Sequence, residues 1–472
     1  MKKYMLVLTF ICLALFVTCG LVSAAEEGAL SISLSSDLTT LDSVYSYDQS
    51  TTVVVQITEG LLYYDANDQL QNGLCESWEE VDGTTYVYNI RNDVKFSDGT
   101  PMTMEDVMFS LARYRDPELA SPLAWMYDNV AGIEKTGELQ FTVKLKQADA
   151  LWRHTFATTA GHVHNKAFVE KAGASYGTPE GGILGTGPYK LSRWDVGSQI
   201  VLEYNANYWN KADGEPSVKK VTFQLIQEDA TRMLAATSGQ TDIGLYTPAE
   251  MLGDIQKAPN VSLTKIPSAG LEFFAFNCKK APFNDVNARR AVAYAIDAVT
   301  LQENIVRDFG TATNYLPVPA TLYLFEKDRW IEYENNNNAP RYDLTKAKEA
   351  LAQSAYPDGF ECNLSVDESS LYNSVALFLQ QSLAEIGIKV NINKGSNNEV
   401  ISLQFGSNLD ADGNRPYDII IAEWAADFPD PSGVVTPLYI STNGGNGGSN
   451  AAEYGNPKVD DLLLKQAASS DA

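Results

Sequence analysis

The chain is 472 residues long, 44% hydrophobic and 20% charged, with a formal net charge of −25. That length suffices for two or three domains with real cores, and the composition excludes a chain that is disordered throughout. The acidic balance repels phosphate backbones and anionic headgroups, so nucleic acid is not expected as a partner.

The N-terminus reads as an export signal. Lys2 and Lys3 precede a nearly unbroken apolar run from Met5 to Val17, and Val22-Ser23-Ala24 places small residues where a signal peptidase cuts. Residues 1–24 are therefore expected to be a signal peptide, and the protein to work in the periplasm or at the extracellular face of the cell membrane. Two rival readings use the same stretch: Phe16-Val17-Thr18-Cys19 resembles a lipoprotein box with Cys19 as a lipid anchor, and an apolar run this long also suits an uncleaved anchor. After processing, Cys75, Cys278 and Cys362 remain, with no short spacing of a zinc or redox site. They read as small buried hydrophobes, with a Cys278–Cys362 bond as the alternative in an oxidising compartment.

Further along, Leu30, Ile32 and Leu34 alternate with serines as in a half-buried strand, and 84–91, 139–145, 200–204 and 221–225 repeat the pattern. Thr103 and Asp106 form an N-cap pair for a helix that places Val107 and Leu111 on one face. Gly185-Thr186-Gly187-Pro188 is glycine-rich, but Pro188 lacks the N–H that phosphate cradling uses, so it reads as a tight turn entering a strand.

From about residue 275 the pattern becomes alternating helix and strand. Val292, Ala295, Ile296 and Val299 share a helical face, and a second helix begins near Asp343 with Ala347, Ala350 and Leu351 inward. Cys362, Leu364 and Val366 alternate as a strand, a helix follows over 375–386, and Ile388, Val390 and Ile392 alternate again. The apolar run 417–421 suits a strand covered on both faces, and the succession predicts an α/β lobe with a largely parallel sheet. Ligands of such sheets sit beyond the carboxyl ends of the strands. Glu423, Trp424 and Asp427 follow that run on loop-like sequence, an aromatic platform beside carboxylates. The asparagine-rich tracts 335–338 and 443–450 read as mobile loops.

Catalytic signatures are absent: no Gly-x-Ser-x-Gly elbow, no phosphate-binding Gly-x-x-x-x-Gly-Lys loop, no His-Glu-x-x-His pair. The chain's histidines cluster at His154, His162 and His164, and the spacing of His162 and His164 on an extended strand makes them weak candidates for a metal site.

Several segments carry a resemblance. Thr58-Glu59-Gly60-Leu61-Leu62-Tyr63-Tyr64-Asp65, Gly73-Leu74-Cys75-Glu76-Ser77-Trp78, the 91–107 run RNDVKFSDGTPMTMEDV, Gly185-Thr186-Gly187-Pro188-Tyr189 and Asn205-Ala206-Asn207-Tyr208-Trp209 occur in order. Phe276-Asn277, Pro282-Phe283-Asn284-Asp285, Arg289-Arg290-Ala291, Tyr342-Asp343 and Asn456-Pro457 continue the series. Together they resemble the family 5 extracellular solute-binding proteins of ABC importers, the dipeptide, oligopeptide and nickel receptors.

That resemblance implies an α/β, two-lobed periplasmic-binding-protein type II (cluster C) fold with an extra subdomain in lobe I. Lobe I is expected over 25–274 with the subdomain at about 66–180, and lobe II over 275–472. The family's chains continue into a helix that returns to lobe I, and this return is expected to be missing here. The implied function is capture of a peptide or similar amine-bearing solute by lobe closure, without a cofactor, and delivery by a monomer to ABC permease subunits in the membrane. A nickel or metal-chelate receptor is the alternative, and a secreted hydrolase a remote third. In peptide-binding members an aspartate three residues after a tryptophan pairs with the ligand's ammonium, a spacing that Trp424 and Asp427 match. Glu423 lies beside them, and Tyr372 belongs to the segment 367–372, which lacks the arginine that dipeptide receptors place there for the ligand carboxylate.

Overall fold

In the computed structural model, which describes residues 28–469 except 47–48, 212–213, 314–315, 324–325, 337–338 and 407, the alternating segments resolve into sheets belonging to two lobes. The export signal and Cys19 lie outside the described residues.

The first lobe is built on a five-stranded mixed sheet in the order Ile243–Gly244, Ala29–Leu34, Lys220–Leu225, Gln199–Tyr204, Tyr189–Asp195. Ala29–Leu34 lies parallel to both of its neighbours. A separate antiparallel sheet of Cys75–Asp82, Thr85–Ile90, Gln140–Leu145 and Val130–Lys135 carries its own core, with Tyr86, Tyr88, Phe141, Trp152 and Phe156 buried together. The helix Met104–Tyr114 packs here, opened by a reciprocal cap between Thr103 and Asp106 that buries Val107 and Leu111. The turn before Tyr189 needs its glycines: a Cβ at Gly185 would sit 2.0 Å from the Ile57 carbonyl oxygen.

The second lobe centres on the sheet Gly270–Phe276, Ile419–Ala425, Glu361–Asp367, Lys389–Gly395. Its last three strands are parallel, while Gly270–Phe276 runs antiparallel to Ile419–Ala425. The first of these strands straddles residue 275, so the chain has entered its second sheet by residue 270.

Local chemistry moved several boundaries. Ser369 accepts the Tyr372 N–H, so the helix expected over 375–386 begins earlier, at Ser370, and runs to Ala384. The face expected to join Val292 to Val299 is broken. Ile296 is extended and Asp297 caps a new turn through the Thr300 N–H, which leaves Val299 exposed. The strand expected over 417–421 instead runs over Ile419–Ala425, so Glu423 and Trp424 belong to the sheet rather than to a loop. The tract 443–450 is not loose: Asn443, Ser449 and Asn450 are buried, and the Arg415 guanidinium donates to the carbonyls of Gly445 (3.1 Å) and Gly448 (2.8 Å). Asn335 and Asn336 end the helix Lys327–Asn336. Cys75, Cys278 and Cys362 are unbonded thiols.

Candidate functional site

Three carboxylates line up at the carboxyl edge of the second sheet. Asp367 ends its strand, Glu423 lies near the end of the next, and Glu272 faces Glu423 directly in the antiparallel register. Side chains directly opposite on paired strands share a face with Cβ atoms roughly 4.5–5.5 Å apart, so the two glutamates repel when both are ionised. Burial, then Glu423 and Asp367, push the Glu272 carboxyl up to about 7. Burial also raises Glu423, although both glutamate side chains keep contact with solvent. The two glutamates thus sit among dense surroundings while still reaching solvent.

Tyr372 closes over this row. The cap at Ser369 sets the first helical turn so that the Tyr372 hydroxyl donates to Glu423 Oε2 at 3.3 Å. Burial, reinforced by Glu423, Glu272 and Asp367, holds its phenol well above the usual value, so it stays protonated. Gln404 donates to the Glu423 carbonyl (2.9 Å) and fixes the strand from the opposite side.

Trp424 points to the other face of the sheet. It is 8% exposed, packs with Leu271, Phe405 and Val434, and its indole N–H donates to the Gly433 carbonyl at 2.7 Å. The indole thereby ties the strand end to the helix Ser432–Tyr439. Capping at the start of that helix falls to Asp430, which takes the Ser432 N–H (2.8 Å) and hydroxyl. Asp427 is left with a different environment: its Oδ2 is enclosed, and none of the described residues donates to it. Burial alone pushes its carboxyl up to about 7. An enclosed carboxylate without a donor is costly, so the group takes up a proton or pairs with a donor brought to it.

This segment faces the first lobe. Phe428 stacks on His154 (5.3 Å between ring centroids, 14° between planes), and His154 Nδ1 shares a 2.5 Å hydrogen bond with the Tyr64 hydroxyl. Burial, aided by Arg153, drops His154 to about 4, so the ring is a neutral stacking partner at neutral pH. A second crossing joins Ser370 to Asp229, and a third runs from the Ala150 N–H to the Ala467 carbonyl in the last helix, Pro457–Ala467.

The other histidines lie elsewhere. His162 Nδ1 is 2.7 Å from the Thr58 hydroxyl, and His164 has Ser43 and Tyr176 hydroxyls at 2.8 Å on its two ring nitrogens. Both are buried in the first lobe, and among the described residues no group of three or more His, Cys, Asp or Glu is disposed to hold a metal ion. The structure thus brings Glu423 and Tyr372 into contact, sets Asp427 beside the interlobe stack, and turns Trp424 inward. Glu272, Asp367 and His154 were not singled out as site residues. Glu272 has a signal in retrospect, an acid inside the apolar run 271–276.

Residues 69–446 match the model of the bacterial extracellular solute-binding proteins, family 5. The chain is 28% identical over 461 residues to the glutathione-binding protein GsiB of Escherichia coli O1:K1, covering 97% of this chain and 86% of that one. Among solved structures it is similar to the periplasmic binding protein DppA of Helicobacter pylori in complex with the peptide STSA (TM-score 0.82, 23% identity, 94% of this chain and 87% of that one). It is equally similar to AgaA of A. tumefaciens R10 in complex with agropinic acid (TM-score 0.82, 25% identity, 94% and 86%).

Proposed function

Because the chain belongs to the family 5 bacterial extracellular solute-binding proteins, we propose that it is the receptor of an ABC importer, not an enzyme, and that it captures a peptide or similar amine-bearing solute between its lobes for delivery to the membrane permease. The observation that carries this reading is the enclosed Oδ2 of Asp427, without a donor among the described residues, beside the His154–Phe428 contact between lobes. An ammonium group brought there gains a charge-assisted hydrogen bond and relieves a desolvated carboxylate in one step. Trp424 holds the segment in place, and Glu423 with Tyr372 forms the adjoining wall.

The carboxylate row favours a solute without excess negative charge near that wall. Glutathione, with two carboxylates, is therefore a useful probe rather than the expected cargo. Shifting a receptor from mostly open to mostly closed takes about 5.5 kcal/mol of differential binding. One charge-assisted bond supplies about 1.5–3 kcal/mol, so backbone hydrogen bonds to the solute and contacts between the lobes must supply the rest.

Native mass spectrometry of the purified chain tests the proposal. A retained small molecule with an ionisable amine, recovered intact after prolonged incubation, is the expected result. A retained solute without an amine removes Asp427 from the recognition scheme, and cleavage of the solute contradicts the receptor reading.

A further inference from the structure

The first lobe holds a fully engaged arginine in the helix Asp229–Thr237. Arg232 is 1% exposed. It donates to the carbonyls of Ile226 (3.2 Å) and Gln227 (3.3 Å), just past the strand Lys220–Leu225, and to those of Leu245 (3.2 Å) and Tyr246 (3.0 Å), just past Ile243–Gly244. Those strands flank Ala29–Leu34 in parallel, so Arg232 binds together two strand ends on one edge of the sheet. Tyr246 has a left-handed backbone (φ 57°), which such support holds in place. The remaining Arg232 contact is a 2.5 Å bond to Asp229 Oδ1. The other oxygen of Asp229 accepts the hydroxyl of Ser370, in the second lobe, at 2.7 Å.

Ser370 opens the 15-residue helix whose first turn also carries Tyr372. Asp229 thus brings a negative charge from one lobe to the positive end of a helix in the other, a favourable placement. Polar surface contacts often contribute nothing, because two flexible side chains lose freedom to meet. Here the acceptor is already held by a buried guanidinium in contact with five groups, so little ordering remains when the lobes meet.

We propose that Arg232, Asp229 and Ser370 form a closure latch, in which Arg232 and Asp229 are positioning residues and the Asp229–Ser370 bond exists only while the lobes are shut. This rests on the reading that solute is captured by lobe closure. Apparent affinity scales with the fraction of protein already competent to bind, so the latch raises affinity for every solute by one factor, without touching any of them.

The test is electron–electron distance measurement on the full ligand-free chain, with Cys12, Cys19 and Cys278 replaced by serine and spin labels on Val81→Cys and Leu377→Cys at exposed positions, one on each lobe. Ser370→Ala removes the donor. Ser370→Asp keeps an anion at the helix start, which favours the helix, but sets a carboxylate against Asp229. The short-distance population is expected to shrink in the alanine variant and to disappear in the aspartate variant, with unchanged unfolding midpoints. Distributions of both variants that superimpose on wild type overturn the latch. With trialanine as a probe, the dissociation constant is expected to rise about threefold to tenfold in Ser370→Asp. Failure of trialanine to bind wild type counts against the peptide reading, while the distance result still decides the latch.

Discussion

A carboxyl that burial holds near pH 7 is about half protonated in neutral solution before any solute arrives. Asp427 is such a group, and only its ionised form pairs with an ammonium. Affinity for amine-bearing solutes is therefore expected to fall as pH drops below about 7, with protons released on binding, and to fall again as the solute's own ammonium deprotonates, near about 8 for a peptide amino terminus. Asp427→Asn is expected to weaken those solutes by roughly 1.5–3 kcal/mol and to flatten the acid limb of that pH profile, both read by calorimetric titration. His162 supplies a second residue-scale prediction. Burial lowers it from 6.5 to about 3, so the unfolded chain binds a proton that the folded chain refuses. Stability is fully present above about pH 6.5 and is lost progressively toward pH 3. His162→Gln should make denaturant midpoints less sensitive to pH in that window. Asp427 was singled out because a tryptophan–aspartate spacing matched a family pattern, and its pairing with a solute ammonium is part of the proposal. The role of Trp424 was not legible, because spacing does not say which face of a strand a side chain takes until the strand's end is known. Had the strand stopped at Ile421, the indole could have served as an open platform; with the strand running to Ala425, it packs inward.

At the scale of elements, polar networks decide what periodicity leaves open. Asparagine and glycine in 443–450 read as mobile because such residues bury little apolar surface. A buried cation reverses that, since Arg415 collects carbonyls from this tract while pairing with Glu453 at 2.6 Å. Glu453→Ala leaves the guanidinium enclosed without its counter-charge and is expected to cost about 3–5 kcal/mol in denaturant unfolding. The opposite sign is expected at the carboxylate row of the second sheet. Glu272 has its carboxyl raised to about 7, so ionising it costs stability as pH rises through that value. Glu272→Gln should raise the melting temperature at pH 8, by an amount equivalent to roughly 0.2–1 kcal/mol, and change little at pH 5. Most strands and helices were legible from alternation and caps. The Val292–Val299 face failed because Asp297, an N-cap residue, restarts the helix in mid-pattern.

At the scale of the molecule, two lobes with separate cores meet through contacts that include His154 on Phe428, Asp229 with Ser370 and the Ala150 N–H on the Ala467 carbonyl. The change from strand-rich to alternating sequence falls at about residue 275, inside Gly270–Phe276, a strand of the second sheet. The contacts between lobes were not legible, because they join residues more than a hundred positions apart with no local pattern. Among the described residues no helix is long and apolar enough to cross a membrane. Small-angle scattering with random tripeptide libraries tests closure around an amine most directly. A library with free amino termini is predicted to reduce the radius of gyration of the wild-type chain, and its N-acetylated counterpart to leave it unchanged. Equal contraction with both libraries, or none with either, would contradict capture of a peptide through its ammonium group at Asp427.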